Sequence, residues 1–175
     1  RDPDSAPAHN DLGNALARTG RTAEAVEHYA AALRTAPTAE AHSNLGGMFA
    51  RLGRAAEART QFEAALRLRP DFAEAHNNLG NLLAQAREFG AAAEHYTAAL
   101  RARPDLADAH ANLGNILAQS GRAAEAVLVS AVAGADPSGR AALADSGRIG
   151  HAVPLRGGTS RTPRRRAQED PTWPT

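Results

Sequence analysis

One motif written four times constrains this chain more than any other feature. NDLGNALARTG at residues 10–20 returns as SNLGGMFARLG at 43–53, NNLGNLLAQAR at 77–87 and ANLGNILAQSG at 111–121, which spaces Leu12, Leu45, Leu79 and Leu113 by 33, 34 and 34 residues. A fixed period of about 20 to 50 residues means that each unit is one supersecondary element, stable only when stacked on its neighbours. A second string follows in each unit, as TAEAVEHYAAALRTAP and AAEARTQFEAALRLRP, and closes at Pro37, Pro70 and Pro104. Within both halves the apolar residues fall at helical spacing, as with Leu79, Leu82 and Leu83, or Phe62, Ala65 and Leu66. Each unit therefore reads as a helical hairpin. The pairs are expected at about 6–19 and 22–35, 39–52 and 55–68, 73–86 and 89–102, and 107–120 and 123–133.

Composition supports stacked helices over a thick globular core. The 175 residues include 43 Ala and only seven aromatics, and Ala both favours helix and permits close helix approach. The absence of Cys excludes a disulfide framework, a zinc knuckle and a thiol nucleophile. No apolar run reaches the roughly 18 residues of a membrane span, and residues 1–10 lack the apolar stretch of a signal peptide. A cytoplasmic location is the resulting expectation.

Punctuation agrees with the division. Gly20, Gly53 and Gly121 stand where a first helix must turn, a place for left-handed backbone. Arg87 takes that place in the third unit, at a cost of about 1 kcal/mol if it adopts the same conformation. Asp71 with Glu74 has the spacing of a capping box, and Asp105 with Asp108 is a weaker version. The second unit has one residue fewer between Pro37 and Leu45, which is expected to shift the angle between the first two units.

In these residues the chain resembles the tetratricopeptide repeat family. The family's Leu-Gly pair, its Ala and aromatic, its later Ala and its closing Pro are matched by Leu12, Gly13, Ala25, Tyr29, Ala32 and Pro37. They recur as Leu45, Gly46, Ala58, Phe62, Ala65 and Pro70, and as Leu79, Gly80, Ala92, Tyr96, Ala99 and Pro104. The fourth unit keeps Leu113, Gly114 and Ala126 but has Ser130 in place of the aromatic. The resemblance implies an all-α, right-handed superhelical solenoid of four hairpins over residues 1–133, in repeats of about 6–38, 39–72, 73–106 and 107–133. It implies close packing at the small residues, with aromatics in the wider gaps.

Both ends are read as atypical. Arg1, Asp2 and Pro3 align with the last residues of a repeat, so the chain is expected to be part of a longer array. The uncharged string AVLVSAVA in the last second helix offers an apolar edge for self-association or another repeat. Residues 134–175 turn to Gly, Pro, Ser and Arg, and are read as a disordered tail or an out-of-frame translation; a decayed repeat at 141–153 is a further alternative.

Little in the sequence suggests catalysis. His9, His42, His76 and His110 recur at one position, but equivalent positions on successive hairpins lie about a helix diameter apart, too far to share an ion bound at about 2 Å. They are read as packing or surface residues, as are His28 and His95, and no metal or cofactor is expected. No nucleophile with a neighbouring base stands out, and Gly157-Gly158 lacks the Lys of a phosphate loop. The Arg164-Arg165-Arg166 run lacks interleaved aromatics, so nucleic acid is not the expected partner.

Asparagine carries the functional signal. Asn44, Asn78 and Asn112 precede the Leu-Gly pair, Asn14, Asn81 and Asn115 follow it, and Asn10 lies nearby. Asn is a poor helix former, so its repeated use within helices needs a reason other than helix stability. First helices line the concave face of the solenoid that the resemblance implies, where Asn columns offer donors and acceptors to an extended peptide. In this the repeats are similar to those of O-linked N-acetylglucosamine transferases, which carry an asparagine ladder; Asn44, Asn78 and Asn112 match it and Asp11 interrupts it. Inter-repeat hydrogen bonding is the competing use of these residues. A carboxylate clamp is excluded, because its positions hold Asn10, Asn14, Asn44, Glu74 and Asn78 without a cation. The expected function is a non-catalytic scaffold for a protein or extended peptide. The alternative is the substrate-binding part of a glycosyltransferase-like enzyme whose catalytic domain lies outside this chain.

Overall fold

The computed structural model describes residues 5–122, 125–126 and 129. The apolar edge at 126–133, Ser130 and the whole 134–175 segment with its 141–153 echo fall wholly or mostly outside these residues. Seven α-helices occupy the described residues: α1 (Ala6–Arg18), α2 (Thr22–Thr35), α3 (Ala39–Arg51), α4 (Ala55–Leu68), α5 (Ala73–Gln85), α6 (Phe89–Ala102) and α7 (Ala107–Gln119). Each begins at the expected residue, and α1, α3, α5 and α7 end one residue early. Glu125, Ala126 and Val129 are helical as well.

The hairpin turns are built alike. In each, the N–H two residues past the helix cap reaches back to a carbonyl in the last turn: Arg21 to Leu16 at 3.0 Å, Arg54 to Phe49 at 2.9 Å, Glu88 to Leu83 at 2.9 Å and Arg122 to Leu117 at 2.8 Å. This closure needs a left-handed residue just before it. Gly20 (φ 79°), Gly53 (φ 72°) and Gly121 (φ 73°) supply it, and Arg87 supplies it at φ 63° with a side chain attached.

The capping-box expectation is corrected. The cap of α5 is Phe72 and that of α7 is Leu106, and neither carries a side-chain capping bond. A turn after the Pro consumes the Asp: Phe72 N–H donates to Arg69 O and Leu106 N–H to Arg103 O, both at 3.2 Å, leaving Asp71 and Asp105 one residue before the cap. Glu74 pairs instead with Arg103. Side-chain caps occur at Ser5 and Thr38, whose hydroxyls accept from Ala8 N–H and Ala41 N–H. The connector into α3 is one residue shorter than those into α5 and α7, and its shortening puts Thr38 at the cap.

Inside each hairpin, contact is set by what is missing. A Cβ at Gly13, Gly46 or Gly80 would stand 2.7, 2.8 and 2.7 Å from the rings of Tyr29, Phe62 and Tyr96. These rings, with Ala25, Ala58 and Ala92, are buried, and they continue into one apolar core running the length of the array. Between hairpins, Leu45, Leu79 and Leu113 are 5%, 2% and 4% exposed, whereas Leu12 is 46% exposed because no helix precedes α1 among the described residues. Successive first helices touch, α1 to α3, α3 to α5 and α5 to α7, and no two of α2, α4 and α6 do. A row of hairpins whose first helices crowd while its second helices splay curves toward the first helices. The result is an all-α solenoid with no helix, among those described, long and apolar enough to cross a membrane.

Candidate functional site on the first helices

The crowded first helices bring the asparagines together, and mostly against one another. Asn44 Nδ2 donates to Asn10 Oδ1 and to Asn14 Oδ1, both at 3.2 Å, and Tyr29 Oη donates to the same Asn14 oxygen at 2.8 Å. One repeat pair further along, Asn112 Nδ2 donates to Asn77 Oδ1 at 3.2 Å and Asn81 Oδ1 at 2.9 Å, and Tyr96 Oη donates to Asn81 Oδ1 at 2.8 Å. Burial raises the Tyr29 hydroxyl above its ordinary pKa and pushes that of Tyr96 up to about 12, so both stay protonated as donors. These clusters are cross-repeat staples. Asn10, Asn14, Asn44, Asn81 and Asn112 therefore serve the inter-repeat bonding that competed with ligand binding in the sequence.

The junction between repeats two and three is different. Asn78 occupies the register of Asn44 and Asn112, but Ser43 and Gly47 hold the places across from it that Asn10 and Asn14, or Asn77 and Asn81, fill elsewhere. Asn78 is half-buried and makes no hydrogen bond; Asn115, exposed on the last described first helix, makes none either. A Cβ at Gly47 would meet nothing within 4 Å, so the residue leaves open space. Repeat two also has Phe62 in place of Tyr, so the hydroxyl and its Asn acceptor are absent together. Sequence reading missed Asn77 and took the tyrosines for wedges alone; the parallel change of Tyr to Phe and Asn14 or Asn81 to Gly47 was the available signal.

The histidines pair within repeats, a contact the sequence reading did not anticipate. His9 Nδ1 lies 3.0 Å from His28 Nδ1, and His76 Nδ1 lies 2.9 Å from His95 Nδ1, while Gln61 takes the second place against His42 at 2.7 Å. His76 Nε2–H donates to Pro70 O at 2.9 Å, which leaves its Nδ1 lone pair to accept the Nδ1–H of His95. Burial, helped by His76 and Arg59 and opposed by Glu94 and Glu63, holds His95 below the ordinary imidazole range. His110 makes the same bond to Pro104 O at 2.9 Å, but Val129 stands at the partner position and His110 Nδ1 is buried without a partner. Among the described residues no three His, Asp or Glu side chains are placed to hold a metal.

On the rim, Glu40 pairs with Arg69 and Glu74 with Arg103, which holds Glu40 below the usual carboxylate range. Arg51 Nη1 donates to Ala17 O at 3.1 Å across the first junction.

The profile of the tetratricopeptide repeat family matches residues 1–40, 10–71, 49–107 and 77–140. Among solved structures the chain is similar to MamA, at 23% identity over 73% of this chain and 75% of that one, TM-score 0.67. It is also similar to the first such domain of Spaghetti (RPAP3) bound to the HSP90 peptide SRMEEVD, at 21% identity over 69% and 96%, TM-score 0.65. YrrB, described as having an unusual peptide-binding site, gives 24% identity over 73% and 66%, TM-score 0.61. No curated protein matches the chain.

Proposed function

Because the chain belongs to the tetratricopeptide repeat family, we propose that it is a non-catalytic scaffold whose concave face binds a protein partner as an extended peptide. The repeat array takes in residues 1–133 in this reading. The observation that carries it is the row of amides on the crowded first helices, with Asn78 free in mid-array. Of the similar structures, one is a domain bound to an HSP90 peptide and another has an unusual peptide-binding site, which supports this use of the fold. Asn78 and Asn115 contact the ligand directly, while Asn10, Asn14, Asn44, Asn81 and Asn112 hold the groove in shape and lend it their remaining polar atoms. The likeness to O-linked N-acetylglucosamine transferase repeats rests on this column, which by itself carries no transferase chemistry.

Screening the chain against an immobilised random peptide library, then titrating the hits by fluorescence anisotropy, tests the reading. Asn78→Ala combined with Asn112→Ala should weaken every hit by about tenfold or more, as expected for lost amide hydrogen bonds. Unchanged affinities would place binding elsewhere, and a library without hits would remove the function.

A further inference from the structure

Resting on that reading, we propose that the junction between repeats two and three is the ligand-registering subsite, a notch that receives an amide group of the peptide. At the two stapled junctions two asparagine carboxamides of the preceding repeat, those of Asn10 and Asn14 or of Asn77 and Asn81, accept from Asn44 or Asn112. At this junction neither carboxamide is present: Ser43 holds the first place, and Gly47 leaves the volume of the second open. Asn78 keeps both ends of its amide unspent, and Ser43, 95% buried by its 5% exposure, has a hydroxyl that bonds no other group. Two polar side chains thus border an open volume shaped by the equivalent junctions for one carboxamide. Polar groups in a partly buried setting gain from a matched partner and lose when they are left without one.

The packing excludes the simplest structural reason for Gly47. Gly46, beside it, is required by the Phe62 ring, but Gly47 meets no neighbour and weakens the helix. Phe62 in place of Tyr removes the hydroxyl that at the stapled junctions donates to the same carboxamide oxygen, so Asn78 and Ser43 are the polar side chains left to meet an incoming amide. The ligand chemistry is therefore an amide with a carbonyl and an N–H to offer, supplied by a main-chain peptide group or by an Asn or Gln side chain.

Filling the notch tests this. Ser43→Asn with Gly47→Asn writes the stapled pattern into the open junction. The double variant should melt at a higher temperature than the parent chain and bind the library hits about tenfold more weakly. Asn78→Ala alone should weaken binding to a similar extent while leaving the fold intact by circular dichroism. Resynthesised hits with each Asn or Gln changed to Ala separate the two sources, since loss of binding assigns the side chain and retention assigns the main chain. Hits that bind both variants as well as the parent overturn the notch and leave the scaffold standing. A parent chain that binds no peptide overturns both.

Discussion

Gly46 and Gly47 are neighbours in one helix, and replacing each by Ala should move stability in opposite directions. Both substitutions gain helix propensity, about 0.8 to 1 kcal/mol apiece. At Gly47 nothing opposes the gain, because the new methyl has no atom within 4 Å. At Gly46 the methyl would lie 2.8 Å from Phe62 Cε1, 2.9 Å from Cδ1 and 3.2 Å from the Ala58 carbonyl. Phe62 is 1% exposed and Ala58 fully buried, so the ring has no free space to move into. Overpacking of this kind costs about 1 to 3 kcal/mol, and the carbonyl contact belongs to backbone, which places Gly46→Ala toward the upper part of that range. Net, Gly47→Ala should stabilise by about 1 kcal/mol and Gly46→Ala destabilise by about 1 to 2 kcal/mol. Urea titrations followed by circular dichroism would read the difference as a midpoint moving up in one variant and down in the other. Shifts of the same sign would refute the argument that close approach, and not backbone freedom, fixes Gly46.

Three further outcomes follow from other contacts. Tyr29→Phe and Tyr96→Phe should each cost about 1 kcal/mol in thermal unfolding, and Phe62→Tyr should gain nothing because Gly47 offers its hydroxyl no acceptor; a stabilised Phe62→Tyr variant would contradict this. The pKa of His95 lies below its unfolded value of 6.5, so the unfolded chain binds more protons; stability is present above about pH 6.5 and falls as pH drops through the depressed folded pKa. His95→Gln, which copies Gln61 of repeat two, should flatten the melting temperature against pH between about 7 and 5, and an unchanged slope would show that the pair does not report there. Arg87→Gly should relieve the left-handed Arg and stabilise by less than about 1 kcal/mol, because losing the guanidinium 5.6 Å from the Phe89 ring centre offsets part of the gain; a lower melting temperature would contradict this.

What could be read from the sequence was what each repeat states locally. Helix limits, the turn at Gly20, Gly53 and Gly121, and the strained place of Arg87 all depend on residues within one hairpin, and the motif states each of them several times. The capping box failed because Asp71 and Glu74 have the right spacing on the wrong residue: the turn after Pro70 consumes Asp71 before the helix starts. The His76–His95 bond joins residues 19 apart on two helices, and helical periodicity does not indicate which side chains meet across a hairpin. The asparagine staples are less local still, since Asn44 reaches residues 30 and 34 positions earlier. Their use depends on how closely successive first helices approach, a property of the stacked array. Asn78 was singled out for its place in a column, but that it differs from its neighbours in the column became visible only with their partners in view.

The staples also divide the array mechanically. Repeats one and two are clipped together, as are three and four, and the clip is missing between the pairs. In an array whose stability is a sum of repeat and neighbour contributions, the weakest interface decides where a pull on the ends is first relieved. Stretched, the described array should part first between α4 and α5, where an exposed Arg59–Glu88 pair at 3.9 Å stands in place of a clip. A bound peptide bridging that seam would act as a splint.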